Sequence, residues 1–330
     1  MPKSNINNKV KISLIGGGTG NFTLLTSIKK YFYNPSVIVN MSDNGGSTGL
    51  LRDELGVLPP GDVRQCLVAL SDNPEVRNLF NYRFNSGRFK NQSLGNIILS
   101  GLELQYDSFE KAIEIASTIL NIKGRVVPIT LDKHHLVMED QGKIIKGEYK
   151  ISTRIISSPN AKLNLKPDAR INKTASKILM GSDIILISPG NLYGSLLPIF
   201  IVNGFLETIL RTKAKVIYVA NLVNKPGQTD NWHVVDYVKK IEKYIGKDRI
   251  DIVLYNNEPI PSSLLQKYAS KGEYPVDVSP QRFEEIKAKC FGRPIVAKNI
   301  IKQDPNDKKI QRTLIRHDSE KVSQFILGLI

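Results

Sequence analysis

Residues able to grip phosphate or move protons fall in a few short stretches. The first is Gly16-Gly17-Gly18-Thr19-Gly20, which follows an apolar β-prone run and precedes Phe22, Leu25 and Ile28 at helical spacing. A strand that feeds a helix through glycines leaves backbone N–H groups bare at a positive helix end, and the missing Cβ atoms let an anion reach the main chain. The second is Ser42-Asp43-Asn44-Gly45-Gly46-Ser47-Thr48-Gly49. Here Gly45, Gly46 and Ser47 suit an anion nest. Asp43 has three readings: a ribose ligand, a metal ligand or the cap of the next turn. The third is Ser188-Pro189-Gly190-Asn191-Leu192-Tyr193-Gly194-Ser195, and the fourth runs from Asn221 to Gln228-Thr229-Asp230. Two further polar tips belong with them. In Pro59-Pro60-Gly61-Asp62-Val63-Arg64, Asp62 is a helix cap or a chemical carboxylate, and Arg64 a phosphate partner or a solvated cation. In Ser93-Leu94-Gly95-Asn96, Asn96 is an N-cap or a ligand to base or sugar. If the chain is an enzyme, Asp43 and Asp62 are its candidate catalytic residues.

These stretches follow strands that alternate with helices. Strands are expected at Lys11–Ile15, Val37–Met41, Ile184–Ile187, Lys215–Val219 and Ile250–Leu254. Helices are expected at Val63–Leu70, Glu75–Phe84, Asn96–Leu104, Phe109–Leu120, Asn172–Met180, Leu197–Leu210, His233–Tyr244, Ser262–Ala269 and Ser319–Leu329, with Glu54–Pro60 as a loop. Between Gly124 and Leu165 the rhythm shifts to short alternating runs, at Val126–Leu131, Leu136–Met138, Lys143–Ile145 and Tyr149–Ile156, which read as antiparallel strands. The expected fold is α/β, a doubly wound, mostly parallel Rossmann-like sheet over residues 1–330, with a β-rich insert over 124–170. Ligands of such sheets sit beyond the C-terminal strand ends, at the switch point.

Composition narrows the classes. With 330 residues, one large domain with an insert fits the length. No apolar run reaches the roughly 18 residues of a membrane span, and the polar start is no secretory signal. The two cysteines, Cys66 and Cys290, suit a reducing cytoplasm and argue against a zinc or disulfide framework. The net charge of +15 and pI near 9.6 would suit nucleic acid or phosphorylated small molecules. The lysines are scattered among acids without a basic aromatic block, which disfavours nucleic acid. The first loop also misses the dinucleotide pattern G-x-G-x-x-G, since Asn21 stands where the last glycine belongs.

IGGGTG, SDNGGSTGLLRDELGVLPPGDVRQCLVAL, SLGN, GRVVPITL, SPGNLYGSLLP, QTD and LIRHD occur here in one order. Over residues 10–330 the chain resembles the YvcK-like gluconeogenesis factors, within the CofD-like superfamily of 2-phospho-L-lactate transferases. The resemblance implies a cytoplasmic, Rossmann-like protein that binds a nucleotide sugar, a UDP-N-acetylhexosamine, and is tied to cell-wall synthesis and cell shape. It implies that Gly17, Gly18 and Thr19 face phosphate, that Asp43, Asn44 and Gly45 close on the nucleotide, and that Asn191 and Tyr193 lie in the third phosphate-side loop. It further implies that Tyr268 stacks on a base and that Arg316 pairs with the diphosphate. Departures fall at Asn44, where the family has an acid, at Gln92, where it has His, and at Gln228, Asn231 and Trp232. Asn44 weakens magnesium-dependent transfer, since hard cations seek carboxylate oxygens, and Gln92 leaves no imidazole there for proton transfer. The basic segment Phe291–Thr313 has no assignment.

Two functions compete, with a third behind them. One is a nucleotide-sugar-binding regulator without turnover, whose partners would be cell-wall synthesis proteins and a second copy of the chain. The other is a magnesium-dependent transferase acting on a nucleotide-diphosphate donor. An NAD-binding protein would need Asp43 to grip a ribose.

Overall fold

In the computed structural model, which describes residues 7, 9–156, 158, 160–298 and 315–330, β1 (Ile12–Gly16) is buried along its whole length. It feeds α1 (Gly18–Tyr31), and β2 (Ser36–Val39) follows, equally buried. Next come five helices: α2 (Gly46–Leu55), α3 (Pro60–Leu70), α4 (Pro74–Asn81), α5 (Leu94–Tyr106) and α6 (Phe109–Leu120). Then come β3 (Arg125–Pro128), β4 (His135–Asp140), β5 (Lys143–Lys146), α7 (Glu148–Ser152), β6 (Lys162–Lys166) and α8 (Lys173–Met180). The second half runs through β7 (Ile184–Ile187), α9 (Leu197–Phe200), α10 (Phe205–Arg211), β8 (Lys215–Val219), α11 (Val234–Ile245), β9 (Ile252–Asn256), α12 (Ser262–Ala269), β10 (Lys289–Arg293) and α13 (Ser319–Leu327).

Seven strands form one parallel sheet in the order β10-β9-β8-β7-β1-β2-β3. Strands such as ISLIG and IILI, apolar on both faces, are what a sheet covered by helices on each side requires. From β1 the chain winds outward to β3, then returns to β7 on the other flank of β1 and winds outward again. The switch point therefore lies between β1 and β7. A second sheet, antiparallel, has the order β5-β4-β6. The chain is thus a doubly wound α/β protein with a small antiparallel sheet.

The structure corrects several local expectations. Val126–Leu131 does not belong to the antiparallel sheet: β3 pairs in parallel with β2 as an edge strand of the main sheet. Tyr149–Ile156 is not a strand but opens as helix α7, because Asn44 Oδ1 accepts the Tyr149 N–H at 2.8 Å and caps the turn from a distant loop. The expected helix Leu197–Leu210 is broken. A π-helical turn at Leu192–Leu196 runs into α9, and Gly204 at φ +91° restarts the chain as α10. Glu54–Pro60 is a loop only in its middle, since Glu54 and Leu55 end α2 and Pro60 opens α3. Asp62 is not the cap of α3: Pro59 holds that position, and Asp62 lies in the first turn. Strand β10 has no counterpart among the expected elements. It occupies the start of the unassigned basic segment, whose residues 299–313 lie outside the described ones. No helix among the described residues is long and apolar enough to cross a membrane.

Candidate functional site

The ends of β1, β7 and β8 open onto one crevice of about 360 Å³. Its walls carry Gly17, Gly18, Thr19 and Gly20 from the first loop, Asp62 from α3, and Gly190, Asn191 and Ser195 from the loop after β7. Asn221 after β8, and Ile315, Arg316 and His317 near the C-terminus, complete it. The first and third loops meet closely: a Cβ on Gly20 would overlap the Pro189 carbonyl oxygen. Glycine is required there so that the first turn of α1 can lie against the neighbouring crossover. Asn221 ties β8 to the same rim, donating Nδ2 to Gly190 O at 2.9 Å. Asn21, the residue that departs from the dinucleotide pattern, is buried and accepts the Ser188 hydroxyl at 2.6 Å. Its amide ties the two crossovers, so a third glycine would remove a link between them.

The helices differ in how their first turns are capped. Helices α4, α6, α8, α11 and α13 each have a side chain accepting first-turn N–H groups: Asn73, Ser108, Asn172, His233 and Asp318. Helices α1 and α2 begin after Gly17 and Gly45 with no side-chain cap and no acid in the first turn. Orphan amides of that kind attract anions. At α1 the nearest acid is Asp62, whose carboxylate accepts from the Gly18 N–H. Burial, and then the charges of Asp43 and Glu148, push its pKa well up.

A second cavity, of about 690 Å³, is lined by Asp43, Gly45, Gly46, Ser47, Arg64 and Asn96 among others. Asp43 Oδ1 accepts from Gly45 N at 2.9 Å. Burial raises its pKa against the lowering by that bond, by Thr48 and by Arg52. A Cβ on Gly61 would touch both Thr48 and Asp43, so α3 starts hard against the Asp43 loop. Ser47 donates to Gln92 Oε1 at 2.8 Å and accepts from Asn96 Nδ2 at 3.2 Å. Arg64 is 2% exposed and donates Nε to Asn96 Oδ1 at 3.0 Å and another N–H to Asn81. Glu148, at the start of α7, is pushed up to about 7 by burial and then by Asp43, and it accepts the Ser152 hydroxyl. The charge of Asp43 thus adds to burial in raising the proton affinity of both Asp62 and Glu148, and Glu148 adds to that of Asp62.

Sequence-chosen residues divide accordingly. Gly17, Gly18, Thr19, Asp62, Gly190, Asn191 and Arg316 share the crevice, whereas Asp43, Gly45, Gly46, Ser47, Arg64 and Asn96 share the second cavity. Four others line neither. Asn44 caps α7. Tyr193 is 2% exposed in the π-helical turn with Lys240 over its ring. Asp230 is exposed and closes its own loop, accepting from Asn224 Nδ2 at 2.7 Å and Gly227 N at 2.6 Å. Tyr268 is 6% exposed in a satellite core with Leu222, Ile260, Leu264, Val296 and Ile315. Its hydroxyl accepts the Ile315 N–H at 3.0 Å, so the ring has no open face for a base and instead fixes the residue before Arg316.

Arg316 is held from both sides. Its carbonyl accepts from Ala297 N at 2.8 Å. Next to it, buried His317 donates Nε2–H to Ala220 O at 2.9 Å, and burial lowers its pKa to about 4, which leaves it neutral at pH 7. Asp318 then caps α13. Sequence reasoning misses Arg52, Glu148, Ser195 and His317. The one signal for His317 is its place in LIRHD, directly before Asp318, the cap of α13. Glu148 adjoins a stretch whose pattern reads as strand. Among the described residues no three His, Cys, Asp or Glu side chains converge to hold a metal ion, so the donor set does not form a magnesium site built from side chains alone.

A doubly wound parallel sheet with a crevice at its switch point defines the chain as an α/β protein of the open-sheet class. Residues 12–296 match the family described as 2-phospho-L-lactate transferase CofD, and the chain belongs to that family. The gluconeogenesis factor of Bacillus subtilis shares 34% identity with it over 332 residues, covering 98% of each chain. The gluconeogenesis factor of Listeria innocua shares 33% over 331 residues, covering 98% of this chain and 96% of that one. A crystal structure of a UPF0052 family member from Bacillus halodurans superposes with a TM-score of 0.87 at 31% identity, covering 97% of this chain and 99% of that one.

Proposed function

We propose that this chain is a gluconeogenesis factor that binds a nucleotide sugar of the UDP-N-acetylhexosamine class in the β1/β7 crevice and regulates without turning it over. The observation that carries the reading is the glycine-rich first turn of α1, where Gly17 offers no side-chain cap, facing Arg316 across one cavity. A diphosphate would accept from the Gly18–Gly20 N–H groups on one side and from the guanidinium on the other, a charge-assisted contact. Through this ligand the protein would link central carbon metabolism to cell-wall synthesis and cell shape, acting in the cytoplasm on cell-wall synthesis proteins. Isothermal titration with UDP-N-acetylglucosamine, with UDP-glucose and CDP as comparators, tests it. Saturable heat is expected, strongest for the acetylated sugar and lost in Arg316→Ala; no heat at millimolar ligand refutes the reading.

One observation favours a second reading, a transferase acting on a nucleotide-diphosphate donor. Asp43 and Asp62 lie at the junction of two cavities with raised proton affinities, which suits a general base between donor and acceptor. Cleavage of a UDP-sugar that disappears in Asp43→Asn would establish it, and an intact ligand after prolonged incubation would remove it.

A further inference from the structure

A third cavity, of about 420 Å³, shares no wall residue with the other two. Arg52, Lys133, His134 and His135 line it, against one lining carboxylate, the exposed Asp53. Arg52 lies in the last turn of α2 and is half-buried. It donates to the Asp43 carbonyl at 2.8 Å and to the His134 carbonyl at 2.6 Å. Among the described residues no carboxylate lies within ion-pair distance of its guanidinium. Asp43 and Asp53 act on its charge through space without pairing with it, so its direct partners are two carbonyl dipoles, which do not neutralise a desolvated cation. The His134 ring is fully used, donating Nδ1–H to Asp132 O and accepting the Ser42 hydroxyl at Nε2, both at 2.9 Å. His135 and Lys133 are left to face a ligand. Burial, then the charges of Lys146 and Arg52, hold the His135 pKa below its ordinary value against the opposing charge of Asp53.

We propose that this cavity is a second anion site, taking a compact dianion of the phosphate or dicarboxylate class, and that the nucleotide crevice senses its occupancy through Arg52. The same guanidinium that would meet the anion holds the Asp43 carbonyl, and the Asp43 carboxylate acts on Asp62 in the crevice wall. Pulling Arg52 toward an anion therefore loosens its hold on the Asp43 loop. Only this coupling rests on the nucleotide reading; the anion site does not.

The chain has four histidines, so their ring protons can be followed individually by proton NMR, with His135→Ala assigning the relevant resonance. Inorganic phosphate and, separately, malonate are titrated into the full chain. The His135 resonance should move saturably with at least one of them, and Lys133→Glu should weaken that binding at least tenfold. Arg316→Ala, in the other cavity, should leave it unchanged. Saturating anion should also change UDP-N-acetylglucosamine affinity at least threefold in the wild type and not in Lys133→Glu. A shift with phosphate alone or with malonate alone identifies the class and supports the site. A static His135 resonance, equal affinity in Lys133→Glu, or loss of the shift in Arg316→Ala overturns it. Anion binding with unchanged nucleotide affinity overturns the coupling. Failure of the nucleotide to bind at all overturns the coupling together with the nucleotide reading, and the His135 titration then decides the anion site by itself.

Discussion

Replacing Asp62 by Asn should tighten the grip on a nucleotide diphosphate. In the ligand-free protein the Asp62 carboxylate accepts from the Gly18 N–H, so it occupies the mouth of α1 where a phosphate would settle. An anion seated on the Gly18–Gly20 amides would lie on the order of 5 Å from that carboxylate, and at an effective dielectric of roughly 20 to 40 two unit charges so placed repel by about 2–3 kcal/mol. Asparagine keeps the acceptor for Gly18 and removes the charge, so affinity should rise roughly 30- to 160-fold where Asp62 is ionised, as at high pH. The pH dependence has a definite sign. Burial, Asp43 and Glu148 already raise the Asp62 pKa, and a bound diphosphate raises it further. Wherever Asp62 is ionised in the unliganded protein, binding takes up a proton, and wild-type affinity should then be higher at pH 6 than at pH 8. The diphosphate of a UDP-sugar, esterified at both ends, stays dianionic over that range, so the slope reports the protein. Isothermal titration of wild type and variant at both pH values decides it. Weaker binding in Asp62→Asn, or an undiminished pH slope, would refute the electrostatic argument.

Tyr268→Phe separates positioning from stacking: the ring survives but the Ile315 N–H loses its acceptor, so stability should fall by about 1 kcal/mol in urea denaturation and nucleotide affinity should fall with it. Unchanged affinity would detach Tyr268 from Arg316. Gly20→Ala should lower stability by about 1–3 kcal/mol, because the new methyl meets the Pro189 carbonyl; a midpoint equal to wild type would mean the crossovers part easily. Glu148 has a folded pKa of about 7 against 4.5 for the free side chain, so the stability it contributes is complete below pH 4.5 and lost as pH rises through 7. Glu148→Gln should flatten the stability profile between pH 5 and 8 and gain at most roughly 3 kcal/mol at pH 8; identical profiles would place the ionised form in water.

The central sheet is readable because strands buried on both faces must be apolar throughout, and ISLIG, SVIV, IILI and KVIYV leave little else to read. Phe109–Leu120 is readable to the residue, since its apolar face repeats at helical spacing and Ser108 caps it. What local patterns miss is decided at long range. Helix α7 exists because Asn44, 105 positions earlier, accepts its Tyr149 N–H. Gly45-Gly46-Ser47 reads as an open nest, yet the chain turns there directly into α2, and Ser47 is drawn into the Gln92–Asn96 network. Tyr268 shows an aromatic ring at helical spacing, and only the fold reveals that its hydroxyl meets a residue 47 positions on. Edge strand β10 escapes because KCFGR has neither clean alternation nor a continuous apolar run.

Two departures from the resembled family pattern meet on one element. Asn44 accepts the N–H of Tyr149 at the start of α7, and Gln228 Nε2 donates to the carbonyls of Ile151 at 2.8 Å and Arg154 at 3.2 Å at its other end. A carboxylate at 44 could still accept its bond, but one at 228 would face two carbonyl oxygens with nothing to donate. Each would also add negative charge near Asp43, Asp62 and Glu148, whose pKa values are already raised. Amides at both positions fasten α7 without that charge. An arrangement that fixes α7 while adding no carboxylate to Asp43, Asp62 and Glu148 limits the repulsion that a diphosphate in the neighbouring crevice would meet.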